Sequence, residues 1–266
     1  MDMTEMMSYT RDFRLVALSY VVASLASFAA LTLAGKVKGA QGQGFWIWLS
    51  GSAFTMGIGI WSMHFIGMLA LRMNMPMSYD FLLTALSVLA AIIASGIAFY
   101  TVSGESLGAL RLLGAGVVMG AGVSTMHYMG MAAMRMPAEI SYDTTLFSVS
   151  IVIAVVASVA AMMLFYYLNL EETEERFGRL MVDLAKGAAA LVMGVAVCGM
   201  HYTGMFAARY TPTNDVTMVT QGMDPILLAA IVSTVTFVIV GMALITTMAG
   251  RGLTLDDELE FAEENF

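Results

Sequence analysis

The sequence predicts an all-α membrane protein with seven transmembrane helices, arranged as three two-helix repeats plus a seventh helix. Composition, the length of the apolar runs and internal repetition support this fold class. Of the 266 residues, 59% are hydrophobic and 12% are charged, whereas soluble domains contain about 45–50% apolar and about 25% charged residues. The formal net charge of −8 argues against nucleic acid as a partner, because nucleic acids select basic surfaces.

Seven apolar runs are long enough to cross a bilayer, which requires about 20 residues in a helix. Their interiors contain no Asp, Glu or Arg. A signal peptide is the alternative interpretation of the first run, but that run is longer than usual and no A-x-A site follows it. The runs are Leu15–Ala34, Phe45–Leu71, Phe81–Val102, Leu112–Met134, Thr144–Leu170, Leu184–Ala208 and Ile226–Ala249.

These runs divide the chain into an N-terminal segment (1–14), a membrane domain (15–249) and an acidic C-terminal tail (250–266). The positive-inside rule favours an outside N-terminus, which places seven Lys and Arg residues inside and five outside. We therefore expect a periplasmic N-terminal segment and a cytoplasmic tail. The tail and the acidic segment 171–175 are predicted to be solvated, with a docking surface for a cytoplasmic partner as the alternative.

Three segments of the chain align without gaps, and each is centred on one of its three histidines. Relative to each histidine, Met stands eight residues before, one before and four after, Gly three after, Ala six after and Arg eight after. Ser78-Tyr-Asp80 and Ser141-Tyr-Asp143 extend the first two copies. Because each repeat contains two spans, the three motifs are predicted to lie at one depth on one side of the membrane. The segments are 56–73, 119–136 and 193–210.

The repeated His and Met residues are candidate metal ligands. Residues four apart lie on one helix face, and the Met before each histidine approaches the same space from the flank. Ionisable side chains within a span indicate function, and imidazole with thioether sulfur favours copper, particularly Cu(I). Haem held by His or by Met and His is the alternative cofactor. The candidate metal ligands are Met63, His64, Met68, Met126, His127, Met131, Met200, His201 and Met205.

Tyr128 and Tyr202 directly follow their histidines and are predicted to contact a bound cofactor or to orient an imidazole. Phe65 occupies this position in the first copy, so the hydroxyl is not required in all three repeats. Cys198 is predicted to be a small buried residue. The alternative for the whole motif is structural, because a membrane histidine also hydrogen-bonds between helices and Met also fills apolar gaps. Triplication favours ligation.

The elements Met63-His-Phe-Ile-Gly-Met68, Met126-His-Tyr-Met-Gly-Met131 and Met200-His-Tyr-Thr-Gly-Met205 resemble the signature of the bacterial MHYT domain family. The resemblance covers roughly residues 10 to 250. It implies a seven-span inner-membrane sensor with the motifs near the outer face, which binds copper through Met, His and Tyr and senses oxygen, carbon monoxide or nitric oxide. Phe65 departs from the motif. Many relatives continue into cytoplasmic output domains that make or degrade cyclic di-GMP, or into kinase or DNA-binding modules.

We therefore expect a sensory domain in membrane lipid that signals through a separate cytoplasmic partner or a homo-oligomer, unless the chain is a fragment of a longer protein. The sequence contains no recognisable catalytic constellation, which argues against an enzyme. A membrane copper or haem redox enzyme is the first alternative. A metal transporter is the second, and it predicts ligands at several depths. The sequence does not give the number of metal ions. A shared centre requires the even-numbered spans to converge on one axis, whereas separate sites require only local Met and His residues.

Overall fold

The structure, a computed structural model, describes residues 10–73, 75–104, 107–213 and 222–264. Within these ranges, seven helices are long and apolar enough to cross a membrane, and α6 is a short additional helix. The predicted all-α, seven-span fold is therefore confirmed. The helices are α1 (Phe13–Gly35), α2 (Gly42–Leu69), α3 (Phe81–Val102), α4 (Ala109–Ala132), α5 (Thr144–Leu168), α6 (Glu171–Phe177), α7 (Arg179–Ala207) and α8 (Pro225–Glu264).

Two helices extend well beyond the apolar runs that predicted them. Helix α7 begins at Arg179, five residues before the predicted run, and α8 continues through the predicted acidic tail to Glu264. Hydropathy records only the part of a helix that lipid covers, whereas backbone hydrogen bonding continues into the aqueous phase. The predicted boundaries therefore describe the apolar segments rather than the full helices.

Six of the long helices form a closed ring around a central axis. Neighbouring helices pack in the order α1, α2, α3, α4, α5 and α7, and α7 packs back against α1. Helices α2, α4 and α7 also contact one another at the centre, so we call them the inner helices and α1, α3 and α5 the outer helices. Helix α8 lies outside the ring against α1 and α2. The three repeats are thus arranged around one pseudo-threefold axis.

A glycine seven residues before each histidine brings an inner helix close to the outer helix of the next repeat. A Cβ on Gly57 would lie 2.6 Å from the Ile92 backbone, and a Cβ on Gly120 would lie 2.6 Å from the Val155 backbone. In the third copy, a Cβ on Gly194 would lie 2.2 Å from the Ser24 hydroxyl. These small residues permit the backbone contact that stabilises helix pairs in lipid.

Short antiparallel strand pairs close each repeat at one end of the bundle, which we call the strand end. Each pair joins the residues before an outer helix to the residues after the inner helix of the same repeat, with Thr10 opposite Arg72, Ser78 opposite Arg135 and Ser141 opposite Arg209. The strands are β1 (Thr10–Arg11), β2 (Leu71–Arg72), β3 (Ser78–Tyr79), β4 (Met134–Arg135), β5 (Ala138–Tyr142) and β6 (Ala208–Pro212).

The strand end shows that Thr10-Arg11-Asp12 is the third counterpart of the Ser-Tyr-Asp elements, which the sequence comparison missed because only Asp is shared. Asp12, Asp80 and Asp143 cap the N-termini of the three outer helices, and each accepts a hydrogen bond from a backbone N–H of the first turn. Each carboxylate also pairs with the arginine that ends the motif of its own repeat, at 2.6–2.7 Å. The capping and pairing fix the ends of the repeat unit.

Replacing Asp80 tests this cap. The hydrogen bond from Arg135 and that from the Leu83 backbone N–H lower the pKa of Asp80 below its ordinary value of 3.8. Asp80→Ala removes both and is expected to destabilise the protein by about 1 kcal/mol, whereas Asp80→Asn keeps an acceptor for Leu83 and costs less. Because the folded-state pKa is lowered, the ionic part of the stabilisation is present above pH 3.8 and disappears as the pH falls below it.

Thermal unfolding of the detergent-solubilised chain from pH 3 to 7 measures this effect. The difference in melting temperature between the natural chain and Asp80→Asn should shrink towards pH 3. A difference that stays constant over this range contradicts the assigned ion pair.

Candidate metal centre

The three histidines meet on the axis of the inner helices. The Nδ1 atoms of His64 and His201 are 3.0 Å apart, those of His127 and His64 are 3.1 Å apart, and those of His201 and His127 are 3.2 Å apart. All three side chains are fully buried, and their ring planes are nearly perpendicular to one another. This histidine triad meets the condition for a shared centre, because the inner helices converge on one axis.

Three neutral imidazoles cannot satisfy this arrangement by hydrogen bonding alone. Each Nδ1 either carries a hydrogen or presents a lone pair, and it cannot do both. Among three mutually adjacent Nδ1 atoms, at least two are therefore of the same kind, and their hydrogens or lone pairs oppose each other at about the hydrogen-bonding distance. A cation that accepts all three lone pairs removes this conflict, because each imidazole then carries its hydrogen on Nε2.

The spacing of the triad is compatible with one metal ion. Three nitrogens that bind one ion tetrahedrally at about 2.0 Å lie about 3.3 Å from one another. The three Nδ1 atoms lie 3.0–3.2 Å apart, so an outward movement of about 0.1 Å at each nitrogen reaches the tetrahedral spacing. Tetrahedral coordination by three imidazoles leaves a fourth position for another ligand.

A glycine on the neighbouring inner helix accommodates each imidazole. A Cβ on Gly67, Gly130 or Gly204 would lie 2.3 Å from the Nε2 atom of His201, His64 or His127, respectively. The three Nε2 atoms are buried and have no hydrogen-bond partner among the described residues. The glycine three residues after each histidine therefore provides the space that lets the next imidazole reach the axis.

The candidate methionines surround the triad in layers. The Met four residues after each histidine lies one turn, about 6 Å, nearer the strand end on the same helix face. The Met before each histidine is also almost fully buried; Met63 packs with Cys198 and Ala23, and Met200 lines a cavity on the axis. Cys198 is buried, as predicted, and its Sγ lies 4.0 Å from the Ser19 hydroxyl. The structure thus joins the three imidazoles in one cluster, with buried thioethers around them and on their strand-end side. These belong to Met63, Met68, Met126, Met131, Met200 and Met205.

The two candidate tyrosines hydrogen-bond to the outer helices. The Tyr202 hydroxyl lies 2.9 Å from the Ser19 hydroxyl, and the Tyr128 hydroxyl hydrogen-bonds to Ser150. Both serines stand seven residues after the capping aspartate of their own repeat, and Ser87, on the outer helix of the repeat that follows Phe65, stands at the same position. These bonds give the hydroxyls a role in joining inner and outer helices.

We predict that Tyr128→Phe and Tyr202→Phe, alone or together, leave metal content unchanged and cost about 1 kcal/mol of stability each. The expected loss is small because Ser150 and Ser19 keep their bonds to backbone carbonyls. Metal analysis and thermal unfolding of the purified variants measure the two effects. Phe65→Tyr is the reciprocal change, because it adds to the first repeat the hydroxyl that the other two variants remove, and it should also leave metal content unchanged. Loss of the metal in the double variant would instead assign the hydroxyls to the metal centre.

Three residues of the strand end contact aromatic side chains of the inner helices near the histidines. Tyr79 packs edge-on against Phe65, Tyr142 packs edge-on against Tyr128, and the Arg11 guanidinium lies 4.0 Å from the centre of the Phe206 ring. Burial raises the pKa values of Tyr79 and Tyr142 to about 12, so both stay protonated. Sequence reasoning assigned these residues no role, although the Ser-Tyr-Asp repetition was the signal that identifies two of them.

The fold and site define a multi-pass membrane protein built from three repeats around a buried histidine triad. A family model described as the bacterial signalling protein N-terminal repeat, MHYT, matches residues 57–115, 120–175 and 194–255. The chain belongs to this family. The family model begins each repeat on an inner helix and therefore includes α8 in the third repeat, whereas the strand pairing groups each inner helix with the outer helix before it.

The chain is similar to three curated signalling proteins. It is 43% identical over 246 residues to the bifunctional diguanylate cyclase/cyclic di-GMP phosphodiesterase MucR of Pseudomonas aeruginosa, covering 92% of this chain and 34% of that protein. It is 40% identical over 201 residues to the signaling protein YkoW of Bacillus subtilis, covering 76% and 24%. It is 36% identical over 195 residues to the cyclic di-GMP phosphodiesterase NbdA of P. aeruginosa, covering 73% and 24%. The chain thus spans about a third or less of these relatives, and no solved structure matches it.

Proposed function

We propose that the chain is a sensory domain of membrane signalling and that its histidine triad binds one copper ion. The observation that carries the proposal is the convergence of three buried Nδ1 atoms within 3.2 Å of one another. In this arrangement His64, His127 and His201 hold the ion together, and each contributes one nitrogen. A single ion shared by all three repeats couples the inner helices at the point where they meet.

Copper fits the surrounding side chains better than other ions. The seven apolar runs contain no carboxylate for a hard dication, and imidazole with thioether sulfur suits Cu(I). Met68, Met131 and Met205 lie on the strand-end side of the triad and are the nearest thioether layer on the same helix faces. Copper supplies a redox couple whose two states prefer different ligands and geometries, and such a difference is suited to a sensor of oxygen, carbon monoxide or nitric oxide.

The inner helices connect the triad to the rest of the bundle. Each imidazole contacts the glycine of a neighbouring inner helix, and each inner helix packs on two outer helices. A change in the spacing of the imidazoles therefore has to move helix backbones that are already in contact. This packing supports a sensory role, because it offers a route from the centre to the outer helices and to α8.

The alternatives suit the site less well. The imidazoles are too close to one another to bind opposite faces of a haem, because two axial nitrogens lie about 4 Å apart across an iron. A transporter requires a path for the metal ion along the axis. On the side of the triad away from the strand end, the next turn of the same helix faces carries only the aliphatic side chains of Ile60, Val123 and Val197, which offer the ion no ligand. Redox catalysis on a lipid-soluble substrate stays the enzymatic alternative, and turnover by the isolated chain tests it.

The similarity to MucR and NbdA supports an output in cyclic di-GMP signalling, through a cytoplasmic partner, a homo-oligomer or a longer form of the chain. We propose the bacterial inner membrane as its location, with the strand end facing the periplasm and the end of α8 in the cytoplasm. The end of the bundle opposite the strand end carries the larger number of Lys and Arg residues, and the positive-inside rule places that end in the cytoplasm.

Metal analysis of the purified full chain after loading with Cu(I) tests the copper proposal. We expect one copper per chain and an X-ray absorption spectrum with three nitrogen ligands. The triple variant His64→Ala/His127→Ala/His201→Ala should bind none, while Met162→Leu, a buried change on α5, should bind the natural amount. Copper retained by the triple variant, or three coppers in the natural chain, overturns the shared centre.

A further inference from the structure

A cavity lies on the axis of the inner helices, on the side of the histidine triad away from the strand end. Its volume is about 20 Å³, which exceeds the roughly 10–15 Å³ needed for one water molecule. All three inner helices contribute equivalent side chains to its wall, four and eight residues before each histidine. These are Ile60, Val123 and Val197, and Met56, Met119 and Met193.

The wall of this axial cavity is almost entirely apolar. Its lining consists of aliphatic and thioether side chains, apart from the hydroxyl of Ser158. A buried water molecule needs two to four polar partners, and apolar cavities in proteins stay dry and take up small apolar solutes such as xenon. One hydroxyl is too few to hold a water molecule, so this cavity favours an apolar occupant.

The sequence explains why the cavity forms beside α5 and α7. Five residues before the first two histidines, Gly59 and Gly122 contact the outer helix of their own repeat. A Cβ on Gly59 would lie 2.1 Å from the Ala26 Cβ, and a Cβ on Gly122 would lie 2.0 Å from the Ala94 Cβ. The third copy has Ala196 at this position. Its methyl group prevents an equally close approach of α5 and α7.

The looser contact is visible on the α5 side. Ala26 and Ala94 are 1% and 8% exposed, whereas their α5 counterpart Ala157 is only half-buried and lines the cavity together with Ala196. The α4–α5 contact stays tight, because Gly116 and Gly120 meet the α5 backbone there. The α5–α7 contact at Ala157 is therefore the side on which the cavity comes closest to the membrane.

We propose that the axial cavity is a binding site for one small apolar solute, of the size of xenon or a diatomic gas, which enters from the lipid between α5 and α7. Apolar gases dissolve in hydrocarbon, so the membrane supplies the solute to this entrance. The layer of Ile60, Val123 and Val197 lies about one helical turn, or 6 Å, from the histidine triad, and Met200 brings the wall of the cavity next to His201. A role for the occupant in sensing rests on the proposed function, whereas its binding requires no metal.

Xenon pressurisation of crystals of the full chain, with and without copper, tests the site. One xenon peak is expected between α4, α5 and α7 in both forms, so a failure of copper binding leaves this test unaffected. Ala157→Leu fills the entrance and should reduce xenon occupancy at least fivefold. The neighbouring Val156→Leu, whose side chain is 62% exposed, is the matched control and should leave occupancy unchanged.

Ala196→Leu is the second variant, because it fills the cavity from the α7 side and should also lower xenon occupancy. It keeps the proposal testable if Ala157→Leu does not fold. Copper content of each variant should equal that of the natural chain. No xenon peak in the natural chain, or a peak that persists when either of these alanines is replaced by leucine, overturns the proposal. Ordered water or copper found in the cavity overturns it as well.

Discussion

Replacing any one of His64, His127 and His201 with alanine is expected to lower the copper affinity of the chain at least about a hundredfold. Loss of a partner that only orients a ligand already costs about 10- to 100-fold, and each of these variants removes one of the three proposed ligands. The three Nδ1 atoms are equidistant within 0.2 Å. The three single variants should therefore lose similar affinity, within a factor of about three.

The amount of copper bound at saturation distinguishes a shared centre from three separate ones. With a shared centre, a single variant titrates with a stoichiometry of at most one copper and a much weaker affinity. With separate sites, it would keep two of three coppers at the natural affinity, and that result would refute the triad as one site. Competition with a Cu(I) chelator measures the affinity, and Met162→Leu serves as the control for a buried substitution elsewhere.

Adding one methyl group beside an imidazole is expected to have the second-largest effect. In Gly67→Ala, Gly130→Ala and Gly204→Ala, the new Cβ would lie 2.3 Å from the Nε2 atom of a histidine on the neighbouring helix. Either the imidazole leaves the axis or the inner helices separate. We expect a loss of at least about tenfold in copper affinity, because a proposed ligand is displaced, and a destabilisation of about 1–3 kcal/mol from overpacking.

Each inner helix offers a matched control for this prediction. A Cβ on Gly51, Gly114 or Gly199 would meet no atom within 4 Å, and alanine in a helix is favoured over glycine by about 0.5–1 kcal/mol. Gly51→Ala, Gly114→Ala and Gly199→Ala should therefore bind copper as the natural chain does and melt at the same or a higher temperature. Equal copper affinity in both sets of variants would show that the three glycines do not position the imidazoles.

The sequence was informative about the fold because lipid imposes a strict rule on composition. A span must be apolar over about 20 residues, and the seven runs that meet this condition correspond to seven helices in the structure. The rule does not extend beyond the lipid, which is why the start of α7 and the continuation of α8 were missed. The short strand pairs were also missed, because two-residue strands such as β1 leave no hydrophobic pattern.

The candidate site was only partly predictable. The repetition identified the three histidines and predicted a common depth, since two spans per repeat return each motif to the same side of the membrane. It did not show that Gly67, Gly130 and Gly204 accommodate the imidazoles. Glycine spacing indicates close packing, but it does not tell which atom of a neighbouring helix fills the space.

The number of spans, the threefold repetition and the soft character of the candidate ligands can all be read from the amino-acid sequence, because hydropathy, periodicity and ligand chemistry are properties of local residues. Three further features become visible when the helices are packed together: the three imidazoles share one axis, Tyr128 and Tyr202 bond to serines of the outer helices, and Ala196 leaves a cavity where its counterparts close the contact. These facts depend on the rotation and spacing of helices far apart in the chain. That arrangement is set by packing across the whole bundle, which no single segment encodes.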